Sequence, residues 1–258
     1  MPTVEKHPAG AFTWIELASS DQHAAKHFYS DLFGYAIVDY PMGPSGIYTM
    51  FQIDGNDAGA AYTMSPQESA MVPPHWNLYI GVDNADEAAA LAASLGAVVI
   101  MAPVDVGDAG RMAVIQDPTG ARFNIWEPKN SIGLQITGVP GTLCWADLNT
   151  IDPEQAKAFY EGMFGWTITV SQEDSSGYLH IKNGEEFIGG IPPADQRDPD
   201  APPQWLIYFH GTDVDATAEK AKEHGARTYM EPITMERVGR MAVLADPQGA
   251  TFAIYTPA

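Results

Sequence analysis

The chain says the same thing twice. GRMAVIQDPTGARFNIWEP at 110–128 returns at 239–257 as GRMAVLADPQGATFAIYTP, with 12 of 19 positions identical. Two further stretches match in the same order: 10–35 with 141–166, and 73–97 with 202–226. A duplication of this extent forces two equivalent units rather than one large domain. The expected division is 8–128 and 141–258, with a Pro/Gly-rich linker at 129–140.

Each copy reads as strand, helix and three strands, twice over. AFTWIEL alternates large and polar residues and predicts a strand. Asp21 or Ser20 then caps a helix that places Phe28 and Leu32 four apart and ends at Gly34. In the second copy Asp152 caps, Pro153 takes the first turn, Gln155 offers a capping box and Gly165 closes. Short strands follow at VDY, YTMFQI and GAAYTM. The scheme repeats from WNLYIGV through the helix after Asn84 to ARFNIWE. DPTG and DPQG read as hairpin turns, and YPMGPSG, SPQESAMVPP and PPADQRDPDAPP as loops.

The formal net charge is −20, with 13 Lys+Arg against 33 Asp+Glu. A field of that sign repels phosphate backbones and anionic lipid, so neither nucleic acid nor membrane is expected as a partner. No apolar run approaches the ~18 residues of a membrane span. The start, MPTVEKHPAG, lacks the apolar core of a signal peptide. A single cysteine, Cys144, fits a reducing cytoplasm. The expectation is a cytoplasmic monomer or homodimer whose partner is a small molecule.

Paired βαβββ units, with FY and LFG on the first helix and DPxGAxF at the last hairpin, resemble the vicinal oxygen chelate superfamily. Glyoxalase I, extradiol dioxygenases and bleomycin- and fosfomycin-resistance proteins belong to it. The resemblance covers nearly the whole chain. It implies an α+β fold of tandem domains, each with two βαβββ units curled into an open half-barrel. It further implies a divalent metal held by His and Glu on the first, fifth and eighth strands, with another Glu on the fourth in glyoxalases. Counting from FY, VDN and DP puts these positions on Trp14, Asn77 and Asn124, and in the second copy on Trp145, Leu206 and Ala253. Indole, leucine and alanine offer a metal no lone pair, and a neutral amide is a poor substitute for carboxylate or imidazole. Neither metal nor other cofactor is therefore expected.

Strand parity sets the residues that face inward. Trp14 shares a face with Glu16, His75 and Asn77 with Tyr79, and Asn124 with Trp126. In the second copy Trp145 goes with Asp147, Leu206 with Tyr208 and His210, and Ala253 with Tyr255. An inward carboxylate in a partly apolar cleft gains a raised pKa and can act as a base, or it can simply brace the sheet. Glu16 and His210 are the catalytic candidates. Trp14, His75, Asn77, Tyr79, Asn124, Trp126, Trp145, Asp147, Tyr208 and Tyr255 are the candidate ligand contacts. An irregular metal site of Glu16, His75 and Asn124 is a further alternative. Arg111 and Arg240 read as structural ion pairs, and Cys144 as a small core residue. The favoured function is metal-independent binding of a small apolar or aromatic molecule. The competing one is a lyase, isomerase or hydroxylase/dioxygenase-like enzyme using Glu16 or His210, or an atypical metal.

Overall fold

The computed structural model describes residues 3–43, 46–170, 176–197 and 201–258. Parts of the loops expected around 44–45 and 198–200 lie outside the described residues. The first copy runs β1 (Phe12–Ser19), α1 (Gln22–Phe33), β2 (Ala36–Pro41), β3 (Ile47–Ile53), β4 (Asn56–Thr63), α2 (Pro66–Ser69), β5 (His75–Gly81), α3 (Ala85–Ser94), β6 (Val98–Val106), β7 (Gly110–Gln116) and β8 (Arg122–Pro128). The second runs β9 (Leu143–Asn149), α4 (Pro153–Phe164), β10 (Thr167–Val170), β11 (Leu179–Asn183), β12 (Glu186–Ile191), β13 (Gln204–His210), α5 (Val214–Glu223), β14 (Arg227–Met235), β15 (Gly239–Ala245) and β16 (Thr251–Pro257). The short α2 falls in a stretch expected to be loop. Ser65 caps it by accepting from the Glu68 amide, and Pro66 starts its first turn.

Each copy forms one open eight-stranded sheet, ordered β2-β3-β4-β1-β5-β8-β7-β6 and β10-β11-β12-β9-β13-β16-β15-β14. The two βαβββ units meet at an antiparallel seam, β1 on β5 and β9 on β13. The seam strands are therefore the floor of each half-barrel. Alternation divides their side chains: Ile15 and Leu17 are wholly buried toward the helices, while Trp14 and Glu16 face the concave side.

The helices carry their apolar residues at helical spacing. Ala25, Phe28, Tyr29 and Leu32 line α1, and Ala156, Phe159, Tyr160 and Met163 line α4. Asp21 and Asp152 cap them, and Gly34 and Gly165 close them with φ of 76° and 67°, a conformation that disfavours any side chain. The capping box at Gln155 does not close, because the Asp152 amide donates to Thr150 Oγ1 instead.

The helices also join the copies. Trp76 Nε1 donates to Tyr29 OH at 3.0 Å, and that hydroxyl donates to Asp246 Oδ2 in the other copy's DPQG turn at 3.1 Å. The mirror relay runs from Trp205 Nε1 through Tyr160 OH to Asp117 Oδ2, at 3.0 and 2.9 Å. Each aspartate's second oxygen accepts the amides of its own turn. Tyr29 additionally packs on Trp76 and Phe51 of its own copy and on Phe252 of the other. The repeated FY and DP motifs thus meet across the copies, and the concave faces lie on the opposite side of each sheet.

The connector after β8 is no free linker. Leu134 and Ile136 are buried, Leu134 donates its amide to the Thr13 carbonyl, and the Tyr35 hydroxyl donates to the Gly141 carbonyl. Arg111 pairs with Asp86 and Asp105, and Arg240 with Asp215, as surface ion pairs in both copies.

Candidate functional site

The floor of the first half-barrel is built around Glu16. Tyr79, across the β1–β5 seam, donates to Oε1 at 2.5 Å, and Tyr48 on β3 donates to Oε2 at 2.8 Å. Trp14 Nε1 in turn donates to Tyr48 OH at 3.0 Å. The second half-barrel repeats this around Asp147. Tyr178 and Trp145 both donate to Oδ1, and Tyr208 donates to Oδ2 at 2.7 Å. Burial pushes both carboxyls upward against the hydrogen bonds, Asp147 to about 6. The same burial, with the carboxylate beside them, drives Tyr48, Tyr79, Tyr178 and Tyr208 well above the usual phenol range. These phenols stay protonated and serve as fixed donors.

Tyr48 and Tyr178 were not singled out from the sequence. Each reaches its carboxylate across an intervening strand, over Ala60 on β4 or Gly190 on β12, which lie directly beside Glu16 and Asp147. Only a small residue leaves room. A Cβ at Gly190 would sit 2.1–2.2 Å from the Tyr178 ring and hydroxyl. Gly190→Ala should therefore push Tyr178 off Asp147 and cost about 2–3 kcal/mol, as overpacking does. Urea denaturation checks the cost, and an unchanged midpoint would contradict the placement. The legible signal was a tyrosine recurring in the third strand region of both copies.

Around the first floor lie Asn77, opposite Glu16, and Asn124, beside Tyr79. Tyr62 on β4 donates to Glu68 Oε1 at 2.5 Å. The His75 ring nitrogens approach the Pro73 carbonyl at 2.8 Å and Asn77 Oδ1 at 3.2 Å. In this arrangement the His75 ring engages Pro73 and Asn77 rather than Glu16 or Asn124. Trp126 packs edge-to-face on Tyr79, and Tyr255 does so on Tyr208. Their polar atoms bond the Ser131 and Val238 carbonyls, so both are fixed walls. His210 stands at the end of β13, outside the Asp147 cluster, with Nδ1 buried and unpartnered. The Cys144 Sγ lies 3.4 Å from the Tyr208 carbonyl, and burial raises its pKa to about 12, so it is no nucleophile.

The rim differs from the floor. Cross-strand register puts Tyr40 beside Tyr48, Met101 beside Val114 and Val104 beside Met112, all on the concave face. They are 50%, 37% and 44% exposed. The result is a trough with a hydrogen-bonding floor and apolar sides. Two shallow hollows lie elsewhere, one lined by Gly10, Asn84, Leu91, Met163 and Phe164, the other by Asp21, His23, Lys26 and Ile47.

With this geometry in place, the description that matches the chain is the Glyoxalase/Bleomycin resistance protein/Dioxygenase superfamily, over residues 11–125 and 142–254. The chain belongs to that superfamily. CFP32 of Mycobacterium tuberculosis, whose name calls it a glyoxylase, is 40% identical over 100% of this chain and 99% of its own. The anthracycline biosynthesis protein DauV of a Streptomyces species is 33% identical over 95% and 92%. The Mn(II)-bound glyoxalase of Novosphingobium aromaticivorans shares the fold, with TM-score 0.66 and 15% identity over 96% of this chain and 82% of that one.

The resemblance assigns a metal to the positions of Trp14, Asn77 and Asn124, or of Trp145, Leu206 and Ala253. These donors do not fit a divalent cation: Trp14 Nε1 is a hydrogen-bond donor engaged with Tyr48, and the two amides are neutral. Among the described residues no three His, Cys, Asp or Glu side chains come together so as to hold a metal ion. Among the same residues no helix is long and apolar enough to cross a membrane.

Proposed function

We propose that the chain binds a planar, uncharged aromatic molecule bearing hydroxyl or carbonyl groups on the concave face of a half-barrel, with no metal ion taking part. The observation that carries this reading is the contrast between floor and rim. A buried carboxylate fixed by phenols and flanked by amides suits polar substituents, and exposed aromatic and thioether side chains suit a flat apolar body. The charge of −20 disfavours anionic ligands. The relatives named for anthracycline biosynthesis agree with an aromatic ligand of this class. The scaffold alone would specify no chemistry, because function resides in the site.

Titrating chelator-treated protein with 2,6-dihydroxyanthraquinone tests it through tryptophan fluorescence, since Trp14 and Trp126 border the trough. Saturable quenching at about micromolar concentration is expected for a ligand of this size. Quenching that stays linear in ligand would remove the reading.

One observation favours a second reading, proton transfer to a bound ligand: the Asp147 carboxyl at about 6 and the raised Glu16 sit where acid–base groups work. Turnover of a bound ligand that Glu16→Gln or Asp147→Asn abolishes without weakening binding would select catalysis over sequestration.

A further inference from the structure

The two half-barrels share their framework and differ in what they offer a ligand. Asn124 is only 3% exposed, yet its carboxamide makes no hydrogen bond to any described residue. Its polar atoms are also not among those sealed from solvent without a partner. On β8 it lies between Tyr79 and Val114, both of the concave face, so its amide opens onto the trough. A buried amide left unpartnered costs free energy unless something else pairs with it. Glu16 accepts from only two donors, and Asn77 lies opposite it on the same floor.

The second floor is closed by its own residues. Asp147 accepts from three donors, and Tyr178 fills the space over Gly190. Leu206 lies opposite Asp147, and Ala253 takes the register position of Asn124. At these positions no polar side chain is left without a partner, and the unpartnered His210 Nδ1 stands apart from them at the end of β13.

We infer that the chain holds one ligand, in the first half-barrel alone, and that Asn124 selects it by pairing with a neutral hydroxyl or carbonyl group. This rests on the binding reading above. The amide both donates and accepts, so a hydroxyl can pair with either of its groups. The corresponding ether can only accept and adds a methyl group that the buried position must house, so the hydroxyl is preferred. The second half-barrel is the structural counterpart that bears the first one's helix through the Tyr29–Asp246 relay.

Isothermal calorimetry of the full chain with 2,6-dihydroxyanthraquinone and its dimethyl ether tests the inference. The expected result is one site per chain and about a tenfold preference for the diol, the value of one hydrogen bond to a buried amide. Asn124→Ala should bind the diol about tenfold more weakly and lose the preference. Because Asn124 bonds no other residue, the variant should unfold close to wild type, which a urea titration verifies. Two sites per chain, or an Asn124→Ala variant that keeps both affinity and preference, would overturn the inference and leave the binding reading standing. No binding to the wild-type chain would overturn both.

Discussion

Asp246→Ala is expected to lower stability by about 3–5 kcal/mol, and Asp117→Ala by a similar amount. Each carboxylate satisfies amides of its own turn through one oxygen and a tyrosine of the other copy through the other. Both are almost fully buried, so removal leaves several donors without water or protein to accept from them. Tyr29→Phe removes one bond of the relay and should cost about 1–2 kcal/mol. Urea unfolding measures all three. A loss below about 1 kcal/mol for Asp246→Ala would mean that the relay is decoration. The copies should also unfold in one transition, since α1 is packed between its own sheet and Phe252 of the other.

The second large effect is in the dependence on pH. Asp147 titrates at about 6 when folded, against an ordinary 3.8. Below the lower value both folded and unfolded chains are protonated there. Between about 4 and 6 the folded chain keeps a proton that the unfolded chain has released. Stability from this group is therefore fully present at low pH and is lost as pH rises through 6. The two-unit difference corresponds to about 3 kcal/mol. Asp147→Asn keeps the shape, and like the protonated acid it both donates and accepts. It should therefore lose about 3 kcal/mol less than wild type between pH about 4 and about 7 in denaturant titrations. Parallel curves for the two proteins would contradict a raised carboxyl. Glu16→Gln should act in the same direction, because burial raises Glu16 as well.

Why the fold was legible and part of the site was not follows from the range of the contacts. Strand parity and the FY, VDN and DP landmarks are local, so they put Trp14, Glu16, Asn77, Tyr79 and Asn124 on one face. The carboxylate clusters needed more. Tyr48 on β3 and Tyr178, just before β11, lie one strand removed from the seam, and only the small side chains at Ala60 and Gly190 let them reach across. The relays are less visible still, because Tyr29 and Asp246 are 217 positions apart and belong to different copies. A repeat announces that both motifs matter without saying that each one's partner lies in the other copy. Parity put His75 on the inward face but did not give the turn of its ring toward Pro73 and Asn77, which depends on side-chain geometry rather than on alternation.

One measurement bears most directly on metal-free binding by the trough: calorimetric titration of chelator-treated protein with 2,6-dihydroxyanthraquinone, repeated after loading with Ni²⁺, Zn²⁺, Mn²⁺ or Fe²⁺. His23 and His27, whose rings meet edge-to-face with centroids 4.6 Å apart on α1, should be replaced by Ala in the protein used, so that surface chelation does not intrude. The same affinity and stoichiometry are expected with and without metal. Binding that appears only after metal is added, and disappears with Asn124→Ala, would show that the trough is a metal site after all.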